Sequence, residues 1–484
     1  MRQAESREPE RPTARTNETP PREPDTASLP EHVKPVLALL AVVVFIAVVN
    51  GTMINVALPY IGREFDVTEG TYGWLVTGYS LSFGIFNAIN GKLSDKFGKK
   101  NIYLIGLAIL GLGSIAVALT PSISIGIAIR LVQGAGAAAL PVLGTSIIKQ
   151  IVPAHQQGKA VGIILSTVGV AASIGPFLGG LIVQFLSWRY VFAATGLSLL
   201  ALPLAYKLLP DELNQKGKAS LDVPGALLLA LGVSTLLYGF ELFQSRVELW
   251  KLGALLGTSA LLLGAFAWRI THTDEPFISP KVFKKVSYIA CCLVAASSNA
   301  ARFGSVVIAP IVLTDLMHQS PLIVGATLFP GAVAIALLSS RAGEWADQNG
   351  PRAPVSVGLL AITTGSVVMA LFMGSSVWGM AAGLTLLGAG YALAQSPLVS
   401  TVNRILPNQL AGAGVGMFMM IFFVGGAAGV AACVTMSDML RFDEAILSGI
   451  VSKRAAPFAA ASLLLASISL LAQLPARKLP KTSS

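Results

Sequence analysis

Arg130 and Arg302 each stand inside an apolar run long enough to cross a bilayer, and a charge there needs a reason. An arginine at the bilayer centre costs at least ~2.5–3.5 kcal/mol unless it is paired or hydrated. A guanidinium in that setting can orient a proton-carrying acid, or take a carboxylate or phosphate on its fork of N–H donors. Two blander readings stand beside these. Arg130 lies shallow and snorkels to the surface, or Arg302 neutralises a buried acid. Apolar runs of this kind also carry the amides Asn50, Asn55, Gln133, Asn299 and Gln395. These can line a cavity and hydrogen-bond a solute, or simply join helices at ~0.6 kcal/mol apiece. An acid buried in such runs would hold its proton more tightly and so suit proton carriage. Asp95 and Glu241, with Arg130, are the residues placed for that coupling, and no acid sits plainly mid-run.

Other chemistries find no support. There is no Ser/His/Asp arrangement, no HExxH and no GxxxxGK[ST] phosphate loop, so hydrolysis and nucleotide-driven work are unsupported and the chain does not read as an enzyme. His32, His155, His272 and His318 fall in the tail or loops. Cys291, Cys292 and Cys433 lie in apolar segments with no metal-ligand spacing, as packing residues do. No metal or cofactor is expected.

The elements that must position the polar residues are membrane helices. The chain is 54% hydrophobic and 12% charged, with mean hydropathy +0.71, whereas a soluble domain carries about 25% charged residues. The net charge of +10 is better explained by loop topology than by nucleic acid. Fourteen apolar stretches reach spanning length, at 35–58, 71–91, 102–120, 122–149, 158–184, 189–209, 223–243, 250–270, 286–314, 322–340, 354–373, 376–403, 410–436 and 456–475. With the amino terminus in the cytoplasm, 25 of the 34 Lys and Arg fall on the cytoplasmic side and 7 outside, so both termini are inside.

A strongly charged segment, Gly91 to Leu104, separates the second and third stretches and contains Asp95, Gly98, Lys99 and Lys100. A reduced copy returns at Gly343 to Arg352, with Asp347, Gly350 and Arg352 at matching spacing. Both read as turns, and an Asp95 near a helix N-terminus would be favoured by ~0.3–1 kcal/mol. Twin copies imply two related halves, a plan that many transporters share. The first copy follows stretch 2 and the second follows stretch 10, so two extra spans lie between six-helix bundles. The expected organisation is a disordered cytoplasmic tail (1–34), an N-terminal bundle (35–209), a linker with two extra helices (210–285), a C-terminal bundle (286–475) and a short cytoplasmic tail (476–484).

The charged segment resembles the cytoplasmic loop motif of the major facilitator superfamily. Arg130-Leu-Val-Gln133-Gly134-Ala-Gly136 is similar to its span-4 motif, and Gly175-Pro176-Phe-Leu-Gly179-Gly180 resembles its span-5 antiporter motif, with Ala171 replacing a glycine. Asn50 to Pro59 and Asp222-Val-Pro-Gly225 resemble the fourteen-span drug:proton antiporters, including class K and L tetracycline and multidrug exporters, which have Asp where this chain has Asn50. The resemblance implies an all-α major facilitator fold with two extra central helices, and a multi-pass protein of the cell membrane. It implies proton-coupled efflux of amphipathic drugs by alternating access, conferring antibiotic resistance, with small-molecule substrate, protons and the lipid bilayer as partners, and a monomer. Asp95 would pair with a basic residue across the bundle interface, making its segment (Gly91, Gly98, Lys99, Lys100) and the second copy (Asp347, Gly350, Arg352) a gate, against the plainer reading of solvated turns. Gly175, Pro176, Gly179 and Gly180 would contact the other bundle. Two alternatives remain: an exporter of an anionic or zwitterionic metabolite, and a transporter-like membrane sensor.

Overall fold

The computed structural model describes residues 30–31, 33–153, 157–211, 222–242, 249–273, 280–406, 408–440 and 454–480, which are helical or in turns and short links. Long apolar sequence folds this way in lipid because a helix satisfies its backbone N–H and C=O groups within one segment. The first set is α1 (Val33–Phe65), α2 (Glu69–Phe97), α3 (Lys99–Ala118), α4 (Ile123–Ile151), α5 (Gln157–Phe185), α6 (Trp188–Gly196) and α7 (Ala201–Leu208). The expected span 189–209 is present as Trp188–Leu208, with a 3-10 turn at Leu197–Leu200 between α6 and α7. A hairpin follows, α8 (Val223–Leu242) and α9 (Leu249–His272). The second set is α10 (Val286–Ile311), α11 (Pro321–Asn349), α12 (Arg352–Leu371), α13 (Val377–Ile405), α14 (Asn408–Leu440), α15 (Ala456–Leu471) and the short α16 (Gln473–Ala476). Among the described residues eleven helices are long and apolar enough to cross a membrane, and shorter apolar stretches run over Val170–Phe185 and Val223–Leu236.

The repeat is visible in element length. Helices α2, α3 and α4 have 29, 20 and 29 residues, and α11, α12 and α13 have the same. The charged segments are not the turns the sequence suggested. Helix α2 runs on through Phe97 and α3 starts at Lys99, leaving Gly98 alone between them at φ 91°. Gly350 ends α11 in the same way at φ 78°. A positive φ of this kind favours glycine, which explains both invariant positions of the repeat. Position 95 therefore falls in the last turn of α2 and not at a helix N-terminus.

The first half (α1–α7) and the second (α10–α16) share two buried clusters. Near Arg63, Ile54, Leu58 and Ile61 of α1 and Leu75 of α2 belong to one buried cluster with Ile308 and Ile311 of α10 and Leu328 of α11. At the opposite end, near Gly98, Leu40 of α1, Leu107 of α3 and Ile147 of α4 form a cluster of their own. Small residues let backbones meet where the halves join, as packing in lipid requires. A Cβ on Gly180 of α5 would overlap the Pro321 carbonyl oxygen, and one on Gly325 of α11 would overlap that of Pro176. Arg63 at the end of α1 pairs with Asp315 after α10 at 2.6 Å. The hairpin rests on both halves: Leu229 and Val233 of α8 and Phe266 of α9 pack with Leu81 and Ile85 of α2 and Met417 and Met420 of α14. Asp222, nearly inaccessible, caps α8 through Gly225 N–H at 3.0 Å and takes a hydrogen bond from Arg269 Nε of α9 at 2.7 Å.

Candidate functional site

Arg130 does not snorkel. It is fully buried in the first half, on α4. Its Nε donates to the Leu75 carbonyl at 2.9 Å, and its Nη1 donates to Asn50 Oδ1 at 2.8 Å and to Gln133 Oε1 at 2.6 Å. Gln133 lies one helical turn from Arg130, so both face the same way. Its amide is fixed by donating to Ser114 Oγ at 2.6 Å and to the Leu110 carbonyl at 3.2 Å, which aims Oε1 at the guanidinium. Asn50 is fixed by donating to Thr195 Oγ1 at 3.1 Å. The Tyr79 ring of α2 lies 3.9 Å from the guanidinium carbon, in cation–π contact. Among the described residues no carboxylate pairs with Arg130, and its buried Nη2 has no hydrogen-bond partner. The charge is held by neutral dipoles and a ring, and Asn50 occupies the place nearest to where an acid would neutralise it.

From Tyr79 a row of rings crosses to the second half. Tyr79 and Phe83 of α2 have centroids 6.0 Å apart, and Phe83 meets Phe423 of α14 at 4.7 Å. Phe423 packs edge-on to Phe422 at 4.9 Å, and Phe422 lies 6.4 Å from Tyr391 of α13. Arg302 of α10 ends the row, 4.8 Å over Tyr391 and 5.4 Å from the Phe303 centroid. No buried acid partners it among the described residues. Asn299, one turn before Arg302, is fully buried and donates to the Phe422 carbonyl at 2.9 Å, leaving Oδ1 without a partner. Gln395, one turn after Tyr391, also has a buried oxygen with no partner. The structure thus brings Asn50 and Gln133 to Arg130, places Asn299 one turn from Arg302, and places Gln395 one turn from the Tyr391 ring that Arg302 covers. Asn55 is not part of either group; its Nδ2 donates to the Thr52 carbonyl at 3.3 Å within α1.

The residues read as a gate are distributed differently. Lys100 is buried and pairs at 2.7 Å with Asp211, beyond α7 in its own half, with its Nζ over the Tyr206 ring. Asp347 pairs with Arg404 of α13 at 2.5 Å, again within one half. Lys99 and Arg352 open α3 and α12. The side chains of Asp95 and Glu241, and most of the 1–34 tail, lie outside the described residues. Gly91 has open space where a Cβ would be. On α5 the glycines divide their contacts. Gly175 and Gly179 meet Thr52 and Met53 of α1, while Gly180 and Pro176 meet α11. The cysteines are buried and free, as expected of packing residues.

Sequence reasoning missed Tyr79, Phe83, Tyr391, Phe422 and Phe423. The four-residue spacings Tyr79/Phe83 and Tyr391/Gln395 were available as signals of a common helix face. It also missed the Arg63–Asp315 pair.

Residues 40–430 match the family model described as Major Facilitator Superfamily. The chain is 29% identical over 399 residues to multidrug resistance protein Stp of Mycobacterium tuberculosis, covering 80% of this chain and 72% of Stp. It is 28% identical to puromycin resistance protein pur8 of Streptomyces alboniger (83% and 81% covered) and 27% identical to riboflavin transporter RibZ of Clostridioides difficile (82% and 86%). Among solved structures, an inward-facing bacterial homologue of the human lysosomal transporter Spinster superposes with a TM-score of 0.67 at 14% identity, over 93% of this chain and 98% of that one. The chain belongs to the major facilitator superfamily and is a multi-pass membrane transporter, not an enzyme.

Proposed function

We propose that this protein exports amphipathic drugs or antibiotics from the cell, driven by the proton gradient. The observation that carries the reading is the row of rings from Tyr79 to Tyr391 that crosses between the halves. Flat, partly apolar solutes pack on such rings by stacking and dispersion, with little demand for one hydrogen-bond pattern. Relatives named for multidrug and puromycin resistance support it. The chain would be a fourteen-span monomer of the plasma membrane with both termini cytoplasmic, and its bundles would be 35–209 and 286–475, with 210–285 between them. In that orientation the Arg63 end faces outward. The cluster of Leu40, Leu107 and Ile147 near Gly98 belongs to the first half alone, which fits a site open to the cytoplasm that rocking of the bundles would turn outward. Protons would enter through Asp95 or Glu241, with Arg130 organising the first half.

The test is uptake of tetracycline and of a cationic dye into everted vesicles containing the protein, with and without collapse of the pH gradient. Gradient-dependent uptake supports proton-coupled drug export. Uptake indifferent to the gradient refutes the coupling, and no uptake of either refutes drug export. The second reading, export of an anionic or zwitterionic metabolite, is favoured by one observation: Arg302 has no acid beside it among the described residues.

A further inference from the structure

The two intramembrane arginines are not equivalent. Arg130 has its Nε and Nη1 donors engaged by Leu75, Asn50 and Gln133, and no accessible surface. Arg302 is half-buried, and its contacts are the faces of Tyr391 and Phe303. A guanidinium lying over a ring uses its flat face, and its N–H donors, which point out in the plane, stay available. Two unpartnered acceptors lie on the elements that carry Arg302 and the Tyr391 ring it covers. Asn299 shares its helix face one turn away, and its amide is held in place by the bond from Nδ2 to the Phe422 carbonyl, so Oδ1 is a fixed and unpartnered acceptor. Gln395 adds a second unpartnered amide oxygen one turn from Tyr391. Buried polar atoms are nearly always paired, so these two open acceptors, one turn from Arg302 and one turn from the ring beneath it, are places where a bound donor can complete the pairing.

We propose that Arg302, Tyr391, Asn299 and Gln395 form a subsite for the carboxylate of an aromatic solute that carries an N–H or O–H donor beside the acid. The carboxylate takes the guanidinium fork, the neighbouring donor reaches the amide oxygens, and the solute's ring extends along Phe422 and Phe423. This rests on the ring row being the surface that solutes use, and it narrows their class to anions and zwitterions at this end. A purely cationic solute would leave Arg302 unpaired and would have to bind elsewhere on the row.

The experiment measures binding of fluorescent 2-aminobenzoate, its methyl ester and plain benzoate to the full chain in nanodiscs of neutral lipid. The acid should bind at least about tenfold more tightly than its ester, since charge-assisted bidentate bonds are the strong ones. Arg302→Gln should bring that ratio to about one, and Arg302→Lys should remove most of it, because an ammonium lacks the fork. Gln395→Leu should weaken 2-aminobenzoate and leave benzoate, which has no neighbouring donor, unchanged. Equal binding of acid and ester, no binding of either, or a ratio that survives Arg302→Gln overturns the proposal. If that variant does not fold, Arg302→Lys and Gln395→Leu decide. Binding in nanodiscs needs no turnover, so a failure of drug uptake in vesicles and a failure of acid recognition here are separate results.

Discussion

Substituting Gly180 by Ala tests whether the α5–α11 seam opens during transport. A Cβ at Gly180 would overlap the Pro321 carbonyl oxygen and lie 3.1 Å from the Pro321 carbonyl carbon and 3.3 Å from Leu322 Cα. The obstacle is backbone, which cannot rotate aside as a side chain could, so the two helices must part. Overpacking of this kind costs about 1–3 kcal/mol. The cost is borne only while the seam is closed, so it becomes a shift in population, roughly 5- to 150-fold toward the open seam at 1.4 kcal/mol per factor of ten. Spin labels on Phe185→Cys and Ile323→Cys, at positions 71% and 40% exposed near the seam, would report the distance between α5 and α11. The native Cys291, Cys292 and Cys433 are buried and should stay unlabelled. The expected result is a longer distance population in Gly180→Ala. Adding Gly325→Ala should move it little further, because helices already parted no longer meet at Pro176. A variant that loses thermal stability with an unchanged distance distribution would refute the reasoning, since the contact would then be fixed packing that never separates.

Asp315→Asn should cost no more than ~1 kcal/mol, because its pair with Arg63 is partly exposed, and the effect should shrink in high salt; label distances across the Arg63 end at two salt concentrations check this. Arg130→Lys keeps the charge but can replace only part of the three hydrogen bonds, so thermal unfolding should show a loss of about 3 kcal/mol or more, at ~1.5–3 kcal/mol for each bond to a charged group. Gly98→Ala and Gly350→Ala each force a side chain into positive φ and should destabilise by about 1–3 kcal/mol in the same assay, whereas Gly91→Ala, with open space around it, should be near neutral.

The membrane class and the two-fold repeat were legible because they are written in local signals: apolar run length, and two segments with Gly and Asp at one spacing. Gly98 and Gly350 proved to be breaks of one and two residues between long helices, which spacing alone could not distinguish from longer turns, since Lys99 and Asp95 look like turn residues by polarity. Arg130 was legible as an anomaly, and its i, i+3 partner Gln133 could be read with it. Asn50, Leu75, Ser114 and Thr195 could not, because four other helices bring them in and no sequence separation encodes that meeting. Arg302 likewise stood out as a charge, but the choice between a buried acid and a free fork depends on what α13 and α14 place over it.

The hairpin α8–α9 makes the molecule unequal in the plane of the membrane. The two halves meet along two seams, α2 with α14 and α5 with α11, which the repeat makes counterparts of each other. Among the described residues only the first is overlaid by Leu229, Val233 and Phe266 of the hairpin. The two flanks of the molecule are therefore unlike, one roofed by the hairpin and the other not.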